Sequence, residues 1–244
     1  DRTLARRVAV ACRRWGIEID DSAGQSLSAT PVAGFLRGVI DAAAKDFAPV
    51  ALLNALRHAR AACGLEAGTY HTCLNRMDIA LRGLPPAAGL EHVTTMVRTQ
   101  DRDESDNPLL DALPEGFAPL IDLIAQGQAP FGEWLEAHIQ TCEALAARPG
   151  TQGAHRLWVG EDGEQAAMFL ADLARHTAPL GRMNCAAYAQ ALESLMDEVA
   201  VRPRFGTHPR VAILGRLEAR LIQCDTMILG GLNEGTWPGD PGHD

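Results

Sequence analysis

The basic residues of this chain are almost all arginine: Lys+Arg number 22, and Lys45, in the run Ala-Ala-Lys-Asp-Phe, is the only lysine. That alone removes one class of chemistry. A nucleotide-binding P-loop needs Gly-x-x-x-x-Gly-Lys-Ser/Thr, whose backbone amides cradle phosphates while the lysine meets the terminal ones, and no such run occurs. Nucleophilic catalysis finds no support either, because Gly-x-Ser-x-Gly is missing and Ser22, Ser26 and Ser28 share one loop-like stretch without a paired histidine. His58, Cys63, His71 and Cys73 come nearest to a metal-ligand set, but their spacing fits no common zinc pattern. Arginine is the other side chain in the chain with binding chemistry to offer. Arg204, Arg210, Arg216 and Arg220 crowd the C-terminal region, and Asn233 follows in a turn. A guanidinium presents five donors in a fixed fork and grips phosphate oxygens without reading sequence. These five residues are the candidate contacts to a phosphate backbone, with the alternative for Asn233 that it serves only the turn. No catalytic residue, metal ligand or cofactor is expected within the chain.

Side chains of this kind need elements to position them, and the stretch His208 to Pro238, HPRVAILGRLEARLIQCDTMILGGLNEGTWP, contains candidates. Two apolar runs, Val211–Leu214 and Met227–Leu232, are bounded by polar, Gly or Pro residues and separated by a short charged segment. The pattern predicts strand, short helix, strand. Continuous rather than alternating apolar character suits parallel strands buried on both faces. Asn233 and Glu234 would then stand at a strand's C-terminal end, where ligands bind in open α/β sheets.

The same stretch resembles the motif V region of superfamily 1 DNA helicases of the UvrD/RecB type. In those proteins the second strand ends in Gly-x-x-Glu-Gly-aromatic-Pro, which Gly231, Glu234, Gly235, Trp237 and Pro238 match. Their first strand leads into Thr-x-His-x-x-Lys-Gly-Leu-Glu, and here the match fails. Gly215 falls on the threonine, Leu217 on the histidine, Arg220 on the lysine, and Leu221, Ile222 and Gln223 on Gly-Leu-Glu. A leucine cannot make the hydrogen bond a histidine or threonine would make to nucleotide or DNA. Leu-Gly-x-Leu-Glu-Ala-Arg-Leu followed by Gly-Gly-Leu-Asn-Glu-Gly-x-Trp-Pro is similar to the AddB family, the inactivated-helicase subunits of AddAB helicase–nucleases, in their alphaproteobacterial form. The resemblance implies double-strand-break repair, a partner subunit of AddA type, and contact with DNA at duplex ends or along a displaced strand through Arg216, Arg220, Asn233, Arg204 and Arg210.

Composition agrees with a soluble globular chain. It has 244 residues, 47% of them hydrophobic, which is enough for a sizeable core. No apolar run reaches the eighteen or so residues of a membrane span, and no signal peptide opens the sequence. The first residue is Asp1 and the last lie in Pro238-Gly-Asp-Pro-Gly-His-Asp, so an excised piece of a longer protein is expected. Six scattered cysteines without a Cys-x-x-Cys pair read as reduced, intracellular thiols, hence a cytoplasmic location. A net charge of −9 argues against autonomous binding to a phosphate backbone. The charge is uneven, however. Arg2, Arg6, Arg7, Arg13 and Arg14 crowd one end, Arg202 to Arg220 crowd the other, and Asp101, Asp103, Glu104 and Asp106 form an acidic run between them, expected as a mobile surface loop. Should the ends meet in space, one basic region faces an acidic remainder.

Helical periodicity dominates between the ends. Thr3 to Trp15 places Leu4, Val8, Ala11, Cys12 and Trp15 on one face and Arg2, Arg6 and Arg13 opposite. Gly16 ends it, and Ile17-Glu-Ile alternates like a short strand. Thr30 caps a helix that begins at Pro31. Further helices are expected near Pro49, over Tyr70–Arg82 and Leu90–Val97, from Glu115, from Phe131 to Leu145, over Glu164–His176, and from an Asn184 cap to Val199. The predicted fold class is α/β: an incomplete RecA-like parallel sheet lobe formed by both chain ends, with a large all-helical insertion domain. Residues 1–46 form the entry half of the lobe, 47–204 the helical insertion, and 205–244 the return. The function expected is a DNA-path scaffold within a helicase–nuclease complex. The alternative is a helical protein-interaction module without direct DNA contact.

Overall fold

The computed structural model describes residues 2–17, 19–22, 24–83, 87–101, 106–201, 210–215 and 218–232. Among these the elements run α1 (Arg2–Arg13), β1 (Asp20–Asp21), β2 (Gln25–Ser26), α2 (Pro31–Ala44), α3 (Pro49–Leu56), α4 (Ala67–Ala80), α5 (Leu90–Gln100), α6 (Leu109–Gln126), β3 (Ala129–Pro130), α7 (Phe131–Ala146), α8 (Ala154–Leu157), α9 (Gly160–Arg175), β4 (Arg182–Met183), α10 (Cys185–Glu198), β5 (Ala200–Val201) and β6 (Ala212–Ile213). The chain divides into a smaller unit, Asp1–Gln25 with Ala200–Asp244, and a larger one, Ser26–Val199.

The expected RecA-like parallel sheet is not formed. Helix makes up 64% of the chain, and the described strands are two residues long, joined only in two-stranded pairs: β1 with β6, β2 with β5, β3 with β4. The first predicted strand survives as Ala212–Ile213, parallel to Asp20–Asp21 in the register Asp20↔Ala212 and Asp21↔Ile213. The second is absent: Met227–Leu232 has no regular secondary structure, and Ile228 and Leu229 are 88% and 68% exposed. The physical reason lies in pairing. An apolar run becomes a buried strand only when neighbours take up its backbone groups and cover its faces, and among the described residues no ladder reaches 227–232. Of the alternation at Ile17-Glu-Ile, Ile17 and Ile19 are not in a strand and Glu18 lies outside the described residues; the strand comes at Asp20–Asp21, two acidic residues that propensity disfavours.

The larger unit is a helical bundle around α2. Thr30 accepts from the Ala33 amide at 3.3 Å and Pro31 fills the first helical position, so the start is fixed as its sequence requires. Val32, Phe35, Leu36, Val39 and Ile40 are buried around the helix rather than along one stripe, because α3, α6, α7, α9 and α10 all pack against it. Close approach is built from small residues: a Cβ on Gly38 would lie 3.4 Å from Ala55 Cα of α3, and one on Gly116 of α6 would lie 2.9 Å from Leu145 Cδ2 of α7. Helix α6 starts at Leu109, ahead of the Glu115 expected from sequence, and carries Pro114 and Pro119 inside it. Both prolines avoid the fully buried face held by Leu110, Leu113, Phe117 and Leu120, so packing on that face outweighs the backbone bonds the prolines cannot donate. Asn184 accepts from the Ala187 amide at 2.9 Å and opens α10.

Two polar ties hold the bundle. His138 is 1% exposed between α2 and α10, its Nε2 2.9 Å from the Leu36 carbonyl and its Nδ1 3.0 Å from the Tyr188 hydroxyl. A carbonyl only accepts, so Nε2 carries the proton, and Tyr188 donates to Nδ1. Burial pushes this imidazole down to about 4, and it is neutral. Arg76 of α4 binds Asp101 at 2.9 Å and donates to the Asp106 carbonyl at 3.2 Å. Asp101 is therefore pinned at the end of α5, where sequence placed it in a mobile acidic loop; 102–105 lie outside the described residues. All six cysteines are free thiols. No helix among the described residues is long and apolar enough to cross a membrane.

Candidate nucleic-acid interface

The arginine-rich ends of the chain fall in the same unit, the smaller one. Of the candidate contacts, Arg204, Arg216 and Asn233 lie outside the described residues, as do Leu217 and the run 234–238. Arg210 and Arg220 are described, and both are exposed. Arg220 sits on a 3₁₀ turn, Glu218–Leu221, which begins where Ala219 N–H donates to the Gly215 carbonyl at 2.9 Å. Glu218 holds this turn. Its Oε2 accepts from the Gly215 amide at 3.1 Å and also from the Ser22 hydroxyl, while Gly215 N–H lies 3.4 Å from Ser22 Oγ. A Cβ on residue 215 would approach the Glu218 carboxylate to 3.3 Å, so glycine there lets the carboxylate close over the amide. The carboxylate is thereby engaged by the turn it closes, and Arg220 lies two residues further on.

The parallel β1–β6 pair supports this turn from the other side. Asp20 N–H donates to the Val211 carbonyl at 3.4 Å and Ser22 N–H to the Ile213 carbonyl at 3.0 Å, so the segment from 19 to 22 braces the segment carrying Arg210 and the 3₁₀ turn. Among the described residues, no group of three or more His, Cys, Asp or Glu is placed to hold a metal ion. What the arrangement supplies is exposed positive charge on a short braced loop.

Sequence reasoning named the C-terminal arginines as contacts and read those of α1 only as one basic end of the chain. There Arg6, Arg7, Arg13 and, just past the helix end, Arg14 are all exposed, and none has a carboxylate partner among the described residues. The larger unit behaves differently: Arg37, Arg57, Arg60, Arg76, Arg82, Arg98 and Arg175 each pair with a carboxylate. Arg156 and Arg182 donate to backbone carbonyls. The signal was present in the sequence as a basic helix face, but whether its charges were already neutralised by neighbours is a tertiary fact. No protein-family model, curated protein or solved structure matches the chain.

Proposed function

We propose that this chain is a DNA-path scaffold: a helicase-like subunit of a double-strand-break repair helicase–nuclease, degenerate in its motor motifs, non-catalytic within these residues, and working beside an AddA-type partner on DNA ends or a displaced strand. The observation that carries the reading is the run from Leu214 to Pro238, in which the Gly-Leu-Asn-Glu-Gly-Thr-Trp-Pro turn is kept while Leu217 and Gly215 replace hydrogen-bonding residues of a working motor. Exposure of Arg220 on a turn whose own carboxylate is occupied elsewhere supports it. Backbone phosphates would be held without sequence preference, since base edges are read by other means.

The test is anisotropy of a labelled forked duplex titrated with the protein across a salt series, with Arg216 and Arg220 changed to alanine in parallel. Expected is binding that weakens with salt, and a double variant whose salt slope is shallower by about one for each phosphate it no longer holds. No binding at low salt would retire the DNA role. The second reading, a helical protein-interaction module without DNA contact, is favoured by the exposed apolar side chains of Met227, Ile228, Leu229 and Leu232.

A further inference from the structure

Helix α1 combines two features that a solvated helix seldom joins. Its arginines at 6, 7, 13 and 14 are exposed and without carboxylate partners among the described residues, and Trp15, directly after them, is 84% exposed. Most described arginines of the larger unit have a carboxylate or carbonyl partner, Arg148 being one for which none is found among the described residues. At the helical rise, residues 6 and 13 lie about 10 Å apart along the axis, on one side and two turns apart. Arg7 and Arg14 repeat the spacing one position round. This gives a double row of positive charge along the helix, ending in a free indole.

We infer that α1 and its C-terminal turn form a binding face for single-stranded nucleic acid, with Arg6, Arg7, Arg13 and Arg14 on successive phosphates and Trp15 stacking on a base. Charge complementarity selects a polyanion. The indole selects a single strand over a duplex, because a base inside a duplex has both faces already stacked, whereas aromatic side chains are the usual platform for an unpaired one. A membrane surface is the rival. A basic amphipathic helix at a bilayer inserts its apolar face; on α1 Leu4 is partly covered, its Cδ2 3.0 Å from where a Cβ on Gly230 would stand, while Val8 and Trp15 are 40% and 84% exposed, so the vesicle measurement below is the arm that separates the two surfaces. Choosing DNA over RNA as the probe rests on the scaffold reading above; the face itself does not.

The experiment uses the whole 244-residue chain. Binding of a fluorescein-labelled 20-nucleotide oligo-dT is measured by anisotropy from 50 to 200 mM NaCl. The wild type is compared with the fourfold Arg→Gln variant at 6, 7, 13 and 14, the fourfold Arg→Lys variant, and Trp15→Ala. The wild type is expected to lose affinity with salt at a log–log slope of about 0.7 per phosphate held. The glutamine variant should bind at least tenfold more weakly with a nearly flat slope, and the lysine variant should keep the slope. Trp15→Ala should lose roughly tenfold for oligo-dT and nothing for a duplex of equal length. Far-ultraviolet circular dichroism accompanies each variant; if the fourfold glutamine variant unfolds, single Arg6→Gln and Arg13→Gln variants must each lower the slope. Unchanged binding by a folded glutamine variant overturns the inference, as does equal loss for single strand and duplex in Trp15→Ala. Binding to phosphatidylserine vesicles in place of oligo-dT also overturns it, in favour of a membrane surface. If α1 variants bind normally while Arg216→Ala/Arg220→Ala does not, this inference fails and the scaffold reading stands; the reverse result separates them the other way.

Discussion

His138 shows how one buried side chain couples this fold to pH. Its imidazole, ordinarily near 6.5, is held down to about 4 by burial. Between those values the unfolded chain binds a proton that the folded chain refuses, so the stabilising contribution is complete above about pH 6.5 and is lost as pH falls towards 4. The span corresponds to about 3 kcal/mol. His58, lowered chiefly by burial and then by Arg60, adds to the loss in the same direction. Urea melts at pH 7.5, 5.5 and 4.5 are expected to show a steady fall. His138→Leu should flatten it, while costing about 2 kcal/mol at pH 7.5 because the Leu36 carbonyl and Tyr188 hydroxyl are left without their partner. Backbone strain gives an effect of opposite sign. Asp46 is exposed and lies at φ +50°, in the left-handed region, between α2 and α3. Asp46→Gly is expected to raise stability by roughly 0.5–1 kcal/mol, read as a higher denaturation midpoint.

At the scale of elements, the contacts that matter are those at helix ends. Gly153, ahead of α8, has φ −62° and ψ −35°, values open to any residue, so its requirement is spatial: a Cβ there would overlap the Glu143 carbonyl near the end of α7. Gly153→Ala should destabilise by about 2–3 kcal/mol through forced overpacking, measured as a drop in thermal midpoint. The α4–α5 junction is held by charge. Arg76 and Asp101 are 13% and 10% exposed at their side chains, so removing the carboxylate leaves a shielded guanidinium poorly compensated. Asp101→Ala is expected to cost about 3 kcal/mol, whereas Lys45→Ala, which breaks an exposed pair with Asp41, should fall within a few tenths. A chemical-denaturation series over both variants decides whether the α4–α5 junction depends on its ion pair as the geometry says.

The whole molecule is unequal in its two units. Among the described residues, nearly every buried apolar side chain belongs to Ser26–Val199, Val201 being the exception, while Val10, Trp15, Ile228 and Leu229 of the smaller unit are exposed. The larger unit should therefore fold alone: a 26–199 chain is expected to melt within a few degrees of the full chain, by circular dichroism. The full chain, carrying the exposed apolar side chains of the smaller unit, should show concentration-dependent sedimentation that the 26–199 chain lacks. Strictly monomeric behaviour of the full chain at high concentration would count against that expectation.

Local chemistry settled much of this protein in the sequence. Thr30-Pro31 and Asn184 mark helix starts because capping needs only a few neighbouring atoms, and the periodic Phe, Leu and Met positions of α2, α4, α7 and α10 mark buried faces because helical spacing is itself local. The arginine-rich ends were equally legible as composition. Tertiary structure decided what depended on distant partners. Leu109–Gln126 is one helix despite two prolines because α7 rewards its buried face. Asp101 is an ion-pair partner because Arg76 reaches it. Met227–Leu232 reads as a strand but forms none, since a strand exists only in the company of another, and no string of residues carries that information alone. The same holds for the arginines: residue type gives the charge, and only the fold shows which guanidinium groups already have partners.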